Sequence, residues 1–385
     1  MEHLGSNTDL RVVEVRNRRQ LREFIRLPEQ LYRGDENWVP PIWWDEMRAY
    51  DRAHNPILRN ADFVLHMAVR NGRPVGRNLV YIDHTFNNFN KSRIGFFGAF
   101  ECEHNAATAE ALIGAAEQWH SARRTTTIRG PIHPTAEIWG FLYDGFEQPP
   151  IMMSPYNPPW YNEFAESLAY QKVKDLLVYE ADAKGNYVLP ERFARFSENL
   201  LRRHPYIRIR KFDLSDIAGE TNNMWRISNA SYVGNWGYVP VDQHIVADLV
   251  RRLKPILDTD AVWFVEDMRL PPREQAIGYA LGFPDINPTV KRISGRLYPF
   301  GFLRLLYCLK SERNYRLFAL GVQPEYHGLG LDVLMYVMLY RALAPRKIRL
   351  EANYILEDNF RIRNALEKLG LSQVKTYRVW EKKLT

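Results

Sequence analysis

Apolar positions along this chain recur with a period of two, then with a period near 3.6, and the whole cycle runs twice. In the first round, strands are predicted over residues 11–15, 63–69, 74–83, 94–100, 126–132 and 173–180, with Asn71-Gly72 turning the second strand back on the third. Helices are predicted over 18–32, 108–123 and 161–168. The second round gives strands over 207–212, 262–266, 276–283, 315–322, 348–352 and 373–381, and helices over 214–232, 331–343 and 359–369.

The two rounds read as one unit repeated. Leu168 and Leu369, Val173 and Val374, Lys174 and Lys375, Val178 and Val379, and Glu180 and Glu381 all lie 201 positions apart, and the hairpin glycines Gly76 and Gly278 lie 202 apart. At 385 residues the chain is long enough for two or three domains. The expectation is an α/β chain (α+β, with a mixed sheet) of two related domains, 1–181 and 205–385. A polar linker and connecting helix over 182–204 would join them.

Charge narrows the partners. Lys and Arg number 52 against 45 Asp and Glu, a net +7 that favours phosphate groups, an acidic carrier or an anionic membrane face. No dense Lys/Arg block accompanies it, so no nucleic-acid partner is expected. The two cysteines, Cys102 and Cys308, exclude a disulfide framework and a zinc site of several thiolates, and no metal is expected. Residues 1–11 have no apolar core and no run of about 18 apolar residues occurs, so neither a secretory leader nor a spanning helix is expected. A cytoplasmic protein follows, with peripheral contact at the inner membrane as the open alternative.

The most informative segment is 320–334, an apolar strand running through Pro324 into a loop with Gly328 and Gly330, then a helix near Leu331. Glycine lets the backbone take positive φ or approach a ligand closely. The free N–H groups opening a helix favour an anion. The third glycine of a dinucleotide fingerprint and the Gly-Lys-Ser/Thr of a P-loop are missing.

Val322-x-Pro324-Glu-Tyr326-His-Gly328-Leu-Gly330-Leu resembles the pyrophosphate loop of the GNAT acyltransferase superfamily. There Arg or Gln is followed after two residues by Gly and, one residue later, by Gly or Ala; these positions fall on His327, Gly330 and Asp332. Asn359-Phe-Arg-Ile-Arg-Asn-Ala-Leu-Glu-Lys-Leu-Gly-Leu371 is similar to the later motif of that superfamily, a helix led by Asn and closed by Gly plus an apolar residue. A closer resemblance is to a bacterial group of tandem-GNAT proteins. It rests on Gly234-Asn-Trp-Gly-Tyr-Val-Pro240, Pro284-Asp-Ile-Asn287, Gly295-Arg-Leu-Tyr-Pro-Phe-Gly301, Asp35-Glu-Asn-Trp-Val-Pro-Pro41, Gly95-Phe-Phe-Gly98, Asp144-Gly-Phe146 and Tyr156-Asn-Pro158. Some members of that group are associated with bacterial sphingolipid synthesis, as acyltransferases that N-acylate a sphingoid base.

The resemblance implies two GNAT-like acyl-CoA N-acyltransferase domains in tandem, the second binding the donor. Leu320, Gly321, Val322, His327, Gly328, Leu329, Gly330, Leu331, Asp332 and Asn359 are its implied donor-binding residues. The donor is acyl-CoA or the acyl-phosphopantetheine of an acidic acyl carrier protein, and the acceptor is a primary amine. The most specific expectation is a long-chain acyl group moved to a sphingoid-base amine. A small-amine or peptide N-acetyltransferase and a degenerate acyl-thioester sensor stay open.

GNAT chemistry is direct attack of a neutral amine on a thioester. It needs a backbone N–H for the growing oxyanion, here on the strand at 320–322, and a base for the amine proton. Glu351 is the candidate base, against a simple ion pair with Arg349 or Lys347. His327 replaces the basic loop residue and is the second candidate. Leu366 stands where the family often has a Tyr general acid, and Tyr354 is the nearest substitute. Asp332 stands where Gly or Ala is usual and opposes a pyrophosphate there, which fits a carrier-protein donor or an outward-pointing helix-start residue.

The first domain has no such loop: Glu101-Cys-Glu-His-Asn-Ala-Ala follows its strand, and two carboxylates oppose an anionic cofactor. It is expected not to bind the donor but to shape the acceptor cleft. Gly130-Pro-Ile-His133, Asp144-Gly-Phe146 and Met152-Met153 are candidates for lining it, with Asp285 and Asn287 from the second domain. The apolar run 298–309 is read as a buried core helix, with an acyl-chain lining or a membrane-facing segment as alternatives.

Overall fold

The computed structural model describes residues 9–135 and 138–384, so most of the stretch 1–11, where no leader was expected, lies outside the described residues. The strands of the first half are β1 (Leu10–Glu14), β2 (Ala61–Arg70), β3 (Arg73–Asp83), β4 (Ile94–Cys102), β5 (Thr127–Gly130), β6 (Phe141–Asp144) and β7 (Gln171–Asp182). The second half gives β8 (Ile207–Lys211), β9 (Val262–Asp267), β10 (Ala276–Pro284), β11 (Asn314–Val322), β12 (Arg349–Leu356) and β13 (Ser372–Lys383). The chain divides into two compact units that are not contiguous in sequence. One holds residues up to Leu176, Val290–Pro299 and those from Lys375 on; the other holds Leu177–Thr289 and Phe300–Val374.

In the first unit the sheet order is β1-β2-β3-β4-β5-β13, with β6 also against β13. These strands pair antiparallel except β4 with β5, which run parallel from Ile94↔Thr127 to Phe96↔Arg129. Successive strand residues point to opposite faces, and β3 uses both. A Cβ at Gly76 would meet Leu112 of the helix Ala106–Ser121, while Arg77 Nη1 donates to the Phe24 carbonyl of the helix Arg18–Leu31. The two helices therefore cover opposite faces. Their starts are set by Asn17 and Asn105, whose side chains accept from Gln20 N and Thr108 N. Phe97, Phe100, Leu112, Ile113, Phe141 and Trp380 form the core.

The second unit repeats this plan in the order β7-β12-β11-β10-β9-β8. All nine residues of β10 are buried, as a central strand covered on both faces requires. Tyr279 Oη meets Ser228 Oγ of the helix Ile217–Ser231 at 2.8 Å, while a Cβ at Gly278 would meet Met335 of the helix Leu331–Leu343. Leu317, Leu334, Met335, Leu339 and Leu366 belong to its core.

The closing strands are exchanged. β7 and β13 begin and end 201 residues apart, as the sequence repeat predicts, yet the first unit takes β13 beside β5 and the second takes β7 beside β12.

Sequence patterning missed the strand β6 and the helices Trp43–Ala49, Pro56–Arg59, His84–Asn90, Gln243–Leu253 and Asn287–Arg292, while the connecting helix expected within 182–204 forms at Glu191–Arg203. The strand predicted over 126–132 shortens to Thr127–Gly130, because Pro131 removes a ladder donor. The core reading of 298–309 is also corrected. A helix forms at Gly301–Leu309, but of its residues only Leu305 is buried, while Phe300 and Tyr307 are 75% and 80% exposed. Among the described residues no helix is long and apolar enough to cross a membrane.

Candidate active site

The site grows from a parting of two parallel strands. β11 and β12 pair from Asn314↔Arg349 through Arg316↔Glu351 to Leu317↔Ala352, and their pairing ends there. β11 continues on its other edge, from Ala319 to Val322 against β10, with a bulge at Phe318 where the register shifts. Residues 319–322 thus run on beyond the β12 pairing, with the paired Arg316 and Glu351 buried just before it ends.

β11 leads through a turn at Pro324–Tyr326 to Gly328 (φ 91°) and Gly330 (φ 80°), conformations that glycine takes without strain. Gly330 then caps the helix Leu331–Leu343 and, having no side chain, makes no cap hydrogen bond to the first-turn N–H groups, while the Phe196 ring packs beside it. Tyr326 Oη donates to Asp267 Oδ2 at 2.8 Å, and Arg269 grips the same carboxylate at 2.7 and 3.0 Å, which anchors the turn to the end of β9. Arg269 is the main reason that Asp267 falls to about 2. A loop fixed by an ion pair and ending in an uncapped helix start can hold an anion.

The predicted residues fall as follows. Leu320, Gly321 and Val322 lie on this stretch of β11. His327 Nε2 lies 2.9 Å from the Val322 carbonyl, which fixes its ring against the strand. Gly328, Leu329, Gly330, Leu331 and Asp332 form the loop and the opening turn, with Asp332 in the first turn. Glu351 is buried with its Oε1 3.1 Å from Arg349, the ion pair foreseen as the alternative to a base. Tyr354 sits on β12 near the Arg316 guanidinium, 5.4 Å from ring centroid to Cζ. Asn359 caps the helix Phe360–Lys368 through Ile362 N. Leu366 is fully buried in the core.

Against known proteins, the chain is 30% identical over 389 residues to the bacterial ceramide synthase of Caulobacter vibrioides (strain NA1000 / CB15N), covering 99% of each chain. This chain belongs to that bacterial ceramide synthase family. A second relative, Protein YghO of Escherichia coli (strain K12), is 30% identical over 376 residues, 96% of this chain and 94% of the relative. No protein-family profile matches the chain. Among solved structures, a tandem GNAT protein from the clavulanic acid biosynthesis pathway aligns with a TM-score of 0.55 and 10% identity, over 98% of this chain and 99% of that one. The fold is therefore that of tandem GNAT proteins, as the sequence resemblance implied.

Within this family fold, four residues beside this stretch of β11 escaped sequence reasoning. Tyr232 Oη lies 3.4 Å from Tyr279 Oη, whose other neighbour is Ser228 Oγ, and Ser231 Oγ donates to the Val322 carbonyl at 2.9 Å. Burial, then the neighbouring Tyr279, holds the Tyr232 phenol well above its ordinary value, so it stays a proton donor. The signal was present: Tyr232 closes the helix Ile217–Ser231 as Tyr32 closes the helix Arg18–Leu31, 200 residues earlier. The acceptor candidates do less. Asp285 accepts from Asn287 N at 3.0 Å, turn chemistry at a helix start, and the Phe146 carbonyl accepts from Asn37 Nδ2. Among the described residues no group of three His, Cys, Asp or Glu could hold a metal ion.

Proposed function

We propose that the chain is a GNAT-type N-acyltransferase moving an acyl group from an acyl thioester to a primary amine. The observation that carries this reading is the parting of β11 and β12 beside an uncapped helix start. The amides from Leu331 onward would take a donor phosphate. An N–H on the strand at 320–322 would take the thioester oxyanion. Glu351 and His327 remain candidates for the amine proton, though Glu351 must first part from Arg349. Tyr354 remains a candidate for protonating the thiolate, and Tyr232 joins it because its buried phenol lies 3.4 Å from that of Tyr279, the residue paired with Gly321.

Long-chain transfer to a sphingoid-base amine is the most specific form of the reading, supported by the name of the Caulobacter relative. A second support is the exposed patch of Phe300, Phe302, Leu303 and Tyr307, flanked by Arg304 and Lys310. Aromatic and basic side chains on one short helix suit an anionic lipid surface, where a lipid amine would be met. The donor is acyl-CoA or an acyl carrier protein, whose acidic surface would suit the net charge of +7.

The test is to incubate purified protein with palmitoyl-CoA and sphinganine and to read free thiol and N-acyl product by mass spectrometry. An amide product that vanishes in Gly330→Glu supports lipid N-acylation through this loop. Product only with acetyl-CoA and small amines would replace the lipid acceptor. Thioester binding without turnover on any amine would favour the sensor. Turnover only with acyl carrier protein would settle the donor.

A further inference from the structure

The first unit carries a polar cluster that the donor site does not use, and register fixes its place. Gly76 pairs with Cys102 across β3 and β4 as Gly278 pairs with Val322 across β10 and β11. The next pairs, Arg77↔Glu101 and Tyr279↔Gly321, are therefore counterparts. A carboxylate stands where the second unit has the bare backbone of its donor strand.

Three elements close on Glu101. Tyr32, at the end of the helix Arg18–Leu31, donates to its Oε2 at 2.8 Å. Tyr161, from the helix Trp160–Ser167, lies 3.0 Å from the same oxygen. Arg77 Nη2 stands 3.9 Å from Oε1, beyond hydrogen-bond range. The same guanidinium bonds the Phe24 carbonyl at 2.8 Å through Nη1, but its Nε has no partner although the side chain is only 6% exposed. Glu46, which accepts from Tyr50 Oη at 2.8 Å, also faces Arg77. His133 faces Glu46 and Arg77, and burial lowers it from its ordinary value, so it adds no cation near pH 7.

The cluster thus sets two carboxylates against one guanidinium, among the rings of Tyr32, Tyr50 and Tyr161. Burial pushes Glu101 up to about 7, although Arg77 and both phenols pull it down. Its side chain keeps 14% exposure. The Arg77 Nε lacks an acceptor, and a bound cation would offset the second carboxylate where an anion would face both. A carboxylate framed by aromatic rings suits an organic ammonium group. The spare Arg77 Nε would donate to an oxygen beside it.

We propose that Glu101 binds the ammonium group of an amino alcohol in the first unit, with Arg77 holding the neighbouring hydroxyl oxygen. This rests on the N-acyltransfer reading only in taking that amine for the acceptor.

Titration calorimetry of the full chain at pH 8 with 2-amino-1-octanol, and with 1-octanol as the uncharged control, tests it. The amino alcohol should bind about tenfold tighter or more than the alcohol, the range of a charged hydrogen bond. Glu101→Gln should abolish that advantage while palmitoyl-CoA affinity stays within about twofold of the unaltered chain. Should Glu101→Gln fail to fold, Tyr32→Phe serves instead, with about a threefold loss expected for one hydrogen bond. Equal binding of amino alcohol and alcohol, or a Kd unchanged in either variant, overturns the proposal. Amino-alcohol binding that depends on Glu101 in a chain with no affinity for palmitoyl-CoA would uphold this site and remove the donor reading.

Discussion

The two units share a ladder, a bulge and a pair of covering helices, and part company at one strand end. In the second, β12 leaves β11 after Ala352, and the strand runs on to glycines and an open helix start. In the first, the chain after β5 stays against β4. Ile132 N donates to the Phe97 carbonyl at 2.8 Å, and any side chain at Gly98 would collide with the Ile132 carbonyl. The helix Ala106–Ser121 then starts under a side-chain cap from Asn105, where the helix Leu331–Leu343 has none. Duplicated architecture has been kept for packing while one strand end has diverged: one runs into glycines and a helix start without a side-chain cap, the other holds a carboxylate.

The sharpest way to break this contrast is to write one unit into the other. Gly321→Glu places the carboxylate of the first unit on the donor strand, where even a Cβ lies 3.1 Å from Ser231 Oγ. Acyl-CoA affinity should fall at least about a hundredfold, from repulsion and crowding together, as measured by calorimetry. Unchanged affinity would mean that the cleft lies elsewhere.

A smaller effect should follow from Glu101→Gln. A carboxyl raised to about 7 in the folded chain binds protons there more tightly than when unfolded. Stability therefore declines as pH rises from the ordinary carboxyl range to about 7 and then levels off. The variant should lose that decline and be more stable than the unaltered chain at pH 8, by roughly 3 kcal/mol at most. Denaturant melts from pH 4.5 to 8 would read it. Parallel curves for both proteins would remove Glu101 as a titrating centre.

The smallest effect is expected from Asp332→Asn. Removing a negative charge from the first helical turn should raise acyl-CoA affinity about two- to fivefold, at a cost of some tenths of a kcal/mol in stability. No gain in affinity would mean that Asp332 points away from the donor phosphate.

Much of this was written in the sequence. The 201-residue match gave the repeat, and Gly328 with Gly330 gave the loop, because positive φ leaves a residue-type trace. The exchange of β7 and β13 left none: two strands of the same pattern fit either sheet equally well, and long-range pairing alone decides. The same limit hid the Glu101–Arg77 pair, which depends on strand register and a bulge over 24 residues of separation. The segment 298–309 was misread for another reason. Apolar composition does not say which side of a helix meets solvent, and the exposed Phe300 and Tyr307 read like core residues.

The exchange also sets a timetable. During synthesis the first unit has its helices and most of its strands once about half of the chain has been made, but β5, paired with β4 on one edge, meets its second neighbour only when Lys383 has been added. Ribosomes add about 5–20 residues per second, so that edge waits on the order of tens of seconds. Through that interval β5 presents unpaired backbone, the kind of edge that recruits foreign strands. A nascent chain of this architecture is a natural client for chaperones, and stalling between the two halves would leave both units unfinished.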